Sequence, residues 1–332
     1  MPLISFILPV YNVEKYIARC LDSIYALSLE KEQFEVLCID DCSIDKSTTI
    51  IETYQEQYSN LHLIKHQQNA RQGAARNTGI RNAKGAYCMF IDADDSIPKV
   101  DLLAYIEYMQ QHDMELLLGK ANVIGCNGEI TQWGNSPVEE SRIMKGPEIF
   151  IEEYIHKVAF GVVWLGIYKM ELVKRISPFL ENIQYEDTDW TLRCAYEAQL
   201  LQYRPIVLYN YHNNPATTTT TKSIRSLIER TKQSLRIYEW AQTTTYLRSD
   251  VLVAVEDYVT WNLRILNGLY IYTYKELKSF YQSFTIHELQ TIAALNVGQN
   301  IKIILKFPKI SQLLFCILNP IYKIYKNAKN NP

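Results

Sequence analysis

Between residues 1 and 100 the chain repeats one unit: an apolar run of strand length, a polar cluster where it stops, then a stretch with helical spacing. Leu3 to Val10 is largely apolar with Pro9 near its end, as expected of a strand buried on both faces. Glu14 to Leu27 carries Ile17, Leu21 and Ile24 at helical spacing. Phe34 to Ile39 reads as a second strand, Lys46 to Tyr58 as a helix and Leu61 to Lys65 as a short strand. Gly73 to Ala83 reads as a helix and Ala86 to Ile91 as the fourth strand. Short links between alternating strands and helices imply right-handed βαβ units. The expected fold is α/β, with a Rossmann-like, mainly parallel sheet flanked by helices.

Ligands of such sheets bind at the carboxyl ends of the strands. Tyr11-Asn12 follows the first strand, Asp40-Asp41 the second and Asp92-Ala93-Asp94-Asp95 the fourth. One acidic pair at a strand end can be chance. Three polar clusters at three of the first four strand ends predict one shared site.

Beyond Val100 the pattern is mixed. Leu102 to Gln111 reads as helix, Glu115 to Ile124 as strand, Cys126 to Glu129 as a turn and Val162 to Tyr168 as strand. Tyr185 to Ala198 reads as a helix entered through an acidic stretch, and Leu200 to Tyr211 as strand. The polar run Thr217 to Thr221 predicts the end of the main domain, with helices from Lys222 to about Leu295. The domain reading is therefore 1–215, split at 100, followed by a helical appendage over 216–332.

From Leu289 to Pro332 there is no Asp or Glu, but there are six Lys, interleaved with residues such as Ile303, Ile304, Leu305, Phe307, Leu313, Leu314 and Phe315. Basic and apolar residues at this density predict peripheral contact with an anionic membrane, or else a C-terminal helix with a solvated lysine face. Net charge is −2, which gives no global basic field for nucleic acid. The seven Cys form no CxxC pair and read as free thiols in a reducing compartment. The first residues lack the charged-then-apolar pattern of a signal peptide, and no apolar stretch reaches the ~18 residues of a membrane span, so the expected location is cytoplasmic.

Four clusters carry candidate chemistry. Asp92 to Asp95 closes an apolar strand with three carboxylates, which are costly to bury unless paired or metal-bound. Their hard oxygens suit Mg²⁺ or Mn²⁺ held jointly with substrate phosphates; a solvated acidic turn is the plainer alternative. Asp40 and Asp41 can accept from a nucleobase N–H or a ribose hydroxyl, while Ser43 or Asp45 can cap the next helix. In Gln184 to Trp190, Glu186 and Asp187 lead into a helix, where either a capping carboxylate or a catalytic base fits. His212, in Tyr209 to Asn214, is open between a structural role and a metal or phosphate contact.

The link Pro9-Val10-Tyr11-Asn12-Val13-Glu14 from the first strand to the first helix contains no GxGxxG, which argues against a dinucleotide fold. No GxxxxGK[ST] and no nucleophile elbow are present, so a P-loop and an α/β-hydrolase site are excluded.

Together these stretches resemble the family 2 glycosyltransferases of the GT-A fold. The resemblance runs through Ile7-Leu8-Pro9-Val10-Tyr11-Asn12, Ile39-Asp40-Asp41-Cys42-Ser43 with Asp45 and Ser47, and Gly73-Ala74-Ala75-Arg76-Asn77-Thr78-Gly79. It continues through Phe90-Ile91-Asp92-Ala93-Asp94-Asp95 and Glu186-Asp187 with Trp190, and ends near residue 212. It implies an inverting transferase that moves a sugar from a nucleotide-diphosphate donor, UDP most of all, to a hydroxyl of a glycan or lipid-linked glycan in surface polysaccharide synthesis. Under it the main chain of Pro9, Val10 and Tyr11, with Asp40 and Asp41, would hold the base, with Asn12 and Glu14 also at the donor. Asp92, Ala93 and Asp94 would meet ribose and diphosphate, and Arg76 and Asn77 would brace the pocket. Asp94, Asp95 and His212 would hold Mn²⁺ or Mg²⁺, Trp164 and Trp190 would face the acceptor, and Asp187, with Glu186 as runner-up, would be the catalytic base. Two alternatives are a non-catalytic binding module of the same shape and a sugar nucleotidyltransferase. The second would need a Gly-rich, basic loop after strand one, and Tyr11 to Lys15 supplies none.

Overall fold

A computed structural model describes residues 1–133, 141–151, 161–214, 223–244, 247–264, 266 and 274–295. The chain divides into two compact units, Met1–Thr217 and Thr218–Pro332.

In the first unit the elements are β1 (Ile4–Val10), α1 (Ile17–Tyr25), β2 (Phe34–Asp40), α2 (Ser47–Gln57), β3 (Leu61–Lys65), α3 (Arg71–Asn82) and β4 (Tyr87–Phe90). They continue with α4 (Leu102–Gln111), β5 (Leu116–Ile124), β6 (Ile130–Gln132), α5 (Gly146–Ile151), β7 (Gly166–Lys169), α6 (Met170–Arg175), α7 (Glu186–Glu197) and β8 (Leu201–His212). Among the described residues these strands form one eight-stranded sheet in the order β3-β2-β1-β4-β7-β5-β6, with β8 beside β5. β1 pairs β2 and β4 in parallel, and β2 pairs β3 in parallel. Each of these strands is followed by a helix or a polar turn, and β1, β2 and β4 are buried throughout, as expected for a sheet covered on both faces.

The second half changes direction. β7 runs antiparallel to both β4 and β5, and β6 antiparallel to β5, while β8 returns parallel to β5 with register shifts on either side of Lys120. The sheet is therefore mixed, with its parallel part in the first hundred residues, in keeping with the expected GT-A arrangement. The apolar run from Val162 is not one strand: Val163–Leu165 is a 3-10 turn and only Gly166–Lys169 is extended. An apolar run reports burial, and a buried turn satisfies it as well as a strand does.

The register matters for function. Val10 pairs Asp40, and Ile7 pairs Phe90, so the three polar clusters leave the sheet at the same end. Glycine lets helix and sheet approach closely: a Cβ on Gly79 of α3 would stand 2.3 Å from Ile7 Cγ2. In the second unit the described residues form α8 (Ile224–Thr243), α9 (Ser249–Leu263), α10 (Tyr274–Gln282) and α11 (Ile286–Ala294). Ser223 caps α8, and Thr285 with Glu288 forms a capping box at α11. Among the described residues no helix is long and apolar enough to cross a membrane. Most of the basic tail, 296–332, lies outside the described residues.

Candidate active site

The loops after β1 and β2 are stitched together side chain to main chain. Asn12 N–H donates to Ser43 Oγ (3.1 Å), and Ile44 N–H donates back to Asn12 Oδ1 (2.9 Å). Val13 N–H donates to Ser47 Oγ (2.9 Å), Glu14 N–H to Asp45 Oδ2 (2.9 Å) and Lys46 N–H to Glu14 Oε2 (3.0 Å). Asn12 sits at φ 53°, a left-handed conformation that Asn adopts more readily than most residues. The side chains of Asn12 and Glu14, expected at the donor, thus also hold the loop after β2. Pro9 and Val10 are buried, and Tyr11 stands out with 48% exposure.

Asp40 and Asp41 are 4% and 2% exposed. Asp40 accepts from Ser43 N–H, at 3.2 and 3.4 Å to its two oxygens. Asp41 accepts from Ala70 N–H (2.9 Å) and Arg71 N–H (2.6 Å) at the head of α3, and pairs with His66 Nδ1 (2.8 Å). Orphan N–H groups at a helix start need such an acceptor. In this arrangement both carboxylates organise loops.

The turn Asp92 to Asp95 closes through Asp95 N–H to Asp92 O (2.9 Å). The end of β8 zips onto it. Ser96 and Asn210 exchange main-chain bonds, Asp92 N–H donates to Tyr209 Oη (3.0 Å), and Tyr209 Oη–H donates to Asp95 Oδ2 (2.9 Å). His212 N–H donates to Asp95 Oδ1 (2.7 Å), and Asn214 Nδ2 to Asp94 Oδ2 (3.1 Å). Burial, then the charges of Asp94 and Asp92, push the Asp95 carboxyl up to about 9. Burial, then the charge of Asp92, raises Asp94 as well. The His212 ring faces Ser96 Oγ at 2.9 Å and is lowered to about 4 by burial and then by Arg19.

Asp94, Asp95 and His212, the residues expected at a metal, lie together where the carboxylate turn meets the end of β8. Asp95 serves β8 and His212 serves Ser96; among the described residues no group of three or more His, Cys, Asp or Glu side chains is gathered for a metal. Asp94 still fits a hard cation. It is a half-buried carboxylate whose pKa is raised by burial and then by the charge of Asp92, and a divalent ion shared with substrate phosphates would relieve that repulsion.

The second half of the site is built on α3. Gly73, Arg76 and Asn77 fall on one helical face and all meet the segment 179–186. A Cβ on Gly73 would stand 2.2 Å from Leu180 O. Asn77 exchanges bonds with Phe179: its Nδ2 donates to the carbonyl and its Oδ1 accepts from the N–H, both at 2.9 Å. Arg76, 1% exposed, donates Nη2 to Asp92 Oδ1 (2.9 Å) and Nη1 to Glu186 Oε1. Burial works against the Arg76 charge, but the carboxylates of Glu186, Asp92 and Asp187 outweigh it and raise its pKa. Asp187, half-buried in the first turn of α7, is raised by burial and then by the charge of Glu186. Tyr185 just before it is left-handed, at φ 62°, a strained backbone for a Tyr.

Both tryptophans expected at the acceptor are buried. Trp190 is fully buried, stacked on Phe179 (4.4 Å) with Phe90 and Tyr168 at its edges. Trp164 is 3% exposed, stacked on Tyr209 (4.4 Å) and edge-on to Trp133. Through Tyr209, Trp164 packs against the side chain that holds the carboxylate turn. Sequence reasoning missed Tyr209, which joins Asp92 to Asp95; its only signal was a Tyr at a strand end.

The residues at these strand ends and along α3 fall within one family pattern: the profile described as glycosyl transferase family 2 matches residues 5–176. The chain belongs to glycosyl transferase family 2. Among its relatives, the glycosyltransferase EpsJ of Bacillus subtilis is 30% identical over 228 residues, covering 66% of this chain and 63% of that one. The poly(ribitol-phosphate) beta-glucosyltransferase of Bacillus spizizenii is 39% identical over 126 residues, 38% of this chain and 20% of that one. The chain thus spans less than two thirds of the length of these curated relatives. Among solved folds, TarS 1–349 of S. aureus in complex with UDP-GlcNAc superposes with a TM-score of 0.67 at 20% identity, covering 99% of this chain and 92% of that one. The mannosyltransferase PcManGT of Pyrobaculum calidifontis, in complex with GDP-Man and Mn²⁺, gives 0.56 at 17% identity, covering 96% and 87%. The likeness to these solved structures is one of fold.

Proposed function

We propose that this chain is an inverting glycosyltransferase that moves a sugar from a nucleoside-diphosphate donor, a UDP-sugar first, to a hydroxyl of a glycan or lipid-linked glycan. One observation carries the reading. A single buried guanidinium, Arg76, joins the strand-end carboxylate Asp92 to the acidic head of α7, where the Asp187 carboxyl is raised. That brings a diphosphate-side carboxylate and a candidate base into one network, as family membership leads one to expect.

The Pro9–Tyr11 main chain and the exposed Tyr11 ring line the base side of the donor, and Asp92 takes a ribose hydroxyl. Asp187 takes the proton from the acceptor hydroxyl as its oxygen attacks the anomeric carbon, and the nucleoside diphosphate leaves from the opposite face, inverting configuration. A carboxyl raised above its ordinary value is a better base near neutral pH than a free one. Asp94 would hold Mn²⁺ or Mg²⁺ with the donor phosphates, and such an ion supplies charge neutralisation at the leaving group. Asp92 and Asp95 keep that turn in place against β8.

The acceptor, a role in polysaccharide assembly and a place on the inner face of the cell membrane belong to the same proposal. Support comes from the sugar-polymer enzymes among the relatives and from the basic, apolar composition of 289–332. The test is release of nucleoside diphosphate from UDP-, GDP- and dTDP-sugars with and without Mn²⁺. Turnover of one class supports transfer. UDP binding with no turnover of any donor favours the non-catalytic module. Vesicle partition of the full chain, against a chain ending at Leu295, tests the tail; equal partition removes the membrane role.

A further inference from the structure

Arg76 stands where the two halves of the proposed site meet. Its guanidinium is buried and donates to one carboxylate on each side, Asp92 at the end of β4 and Glu186 at the head of α7. Its Cζ lies 5.6 Å from the Phe179 ring centroid, and its Nε has no hydrogen-bond partner. A buried charge is a costly way to fill core space. Packing α3 on the 179–186 segment needs no charge, since Gly73 and Asn77 already dock that segment through main-chain contacts. What Arg76 adds is a fixed link between the two carboxylates.

We infer that Arg76 is a positioning residue that fixes the head of α7, and with it the Asp187 carboxylate, against the strand end carrying Asp92, acting through Glu186. Successive helical residues are turned by about 100°. With Glu186 bound to Arg76, the direction of Asp187 from the same first turn is set. Glu186 is then a hand-off group and not a second base: its carboxylate is buried and turned toward α3. The inference rests on Asp187 as the base.

The test uses the full chain and the nucleotide-sugar that supports turnover, starting with UDP-GlcNAc, with UDP affinity measured alongside. Glu186→Gln keeps the shape and removes the ion pair. UDP affinity should stay within about threefold, since Glu186 does not face the donor, and kcat should fall about 30-fold or more. The acid limb of kcat should move to lower pH, because a negative charge beside Asp187 is gone; loss of packing alone would not move it that way. Arg76→Lys, which cannot bridge both carboxylates, should lower kcat to a similar degree. The pair Arg76→Gln with Glu186→Gln should lose no more than Arg76→Gln alone. Losses that multiply, or a folded Glu186→Gln with wild-type kcat and an unmoved limb beside an inactive Asp187→Asn, would overturn the positioning role. Turnover retained by Asp187→Asn would instead sink the base assignment. If Arg76→Gln does not fold, Glu186→Gln and Arg76→Lys decide.

Discussion

Arg76 and Glu186 are 110 residues apart in sequence, and their buried ion pair ties the middle of α3 to the first residue of α7. Asp92 takes the other side of the same guanidinium. The carboxylates at the end of β4 and at the head of α7 thereby share one cation, and neither can shift without disturbing the other.

Asp187→Asn should leave UDP affinity within about threefold and lower kcat by about 10²–10⁴, the usual worth of a general base. Calorimetry with UDP and nucleotide release read the two effects separately. Loss of both together would place Asp187 at the donor instead.

Turnover should depend on pH in a fixed direction. Burial and the charge of Glu186 raise the Asp187 carboxyl above its ordinary value of about 4. The base works only when deprotonated, so the rate should climb with pH through a limb above the ordinary carboxylate range. A kcat profile flat down to pH ~4.5 would contradict this.

Gly73→Ala should cost about 1–3 kcal/mol and depress kcat, because its Cβ meets a carbonyl at 2.2 Å and pushes the segment before α7 off α3. Gly79→Ala meets Ile7 at 2.3 Å on the sheet side, away from that segment. It should lower Tm comparably while turnover per folded molecule persists. Thermal melts paired with rate measurements distinguish the two.

Asp45→Ala should destabilise by about 1 kcal/mol, since Asp45 accepts from Glu14 N–H and from Ser47 at the head of α2. Burial raises the Asp45 pKa, but the bonds from Ser47 and Glu14 outweigh it, and the net shift is downward. A depressed carboxylate contributes stability above its unfolded pKa and loses it as pH falls through the folded one. Urea melts should therefore show the wild-type advantage shrinking as pH drops below about 4.

Trp190→Ala should cost about 3–5 kcal/mol, the usual penalty for emptying a fully buried aromatic site. Trp190→Phe should keep the acceptor KM of the wild type. A raised acceptor KM in that folded variant would restore Trp190 to the acceptor.

Much was legible from local pattern. β1 to β4 and α1 to α4 follow from apolar periodicity, and the polar clusters after Val10, Ile39 and Ile91 follow from a parallel sheet putting strand ends on one edge. Within the site, residue types were legible and their scaffold partners were not. Asp41, Asn12 and Glu14 also accept from main-chain N–H groups up to 32 positions away. Asp95 and His212 also meet β8 and Ser96.

By itself the sequence determined the α/β order, the strand ends that carry carboxylates, and membership of a family, because periodicity and short motifs are local properties of the chain. Only the tertiary structure decided which main-chain and side-chain groups each carboxylate holds. That choice depends on long-range partners, such as Arg76 for Glu186 and Tyr209 for Asp95, whose meeting is set by burial and sheet register.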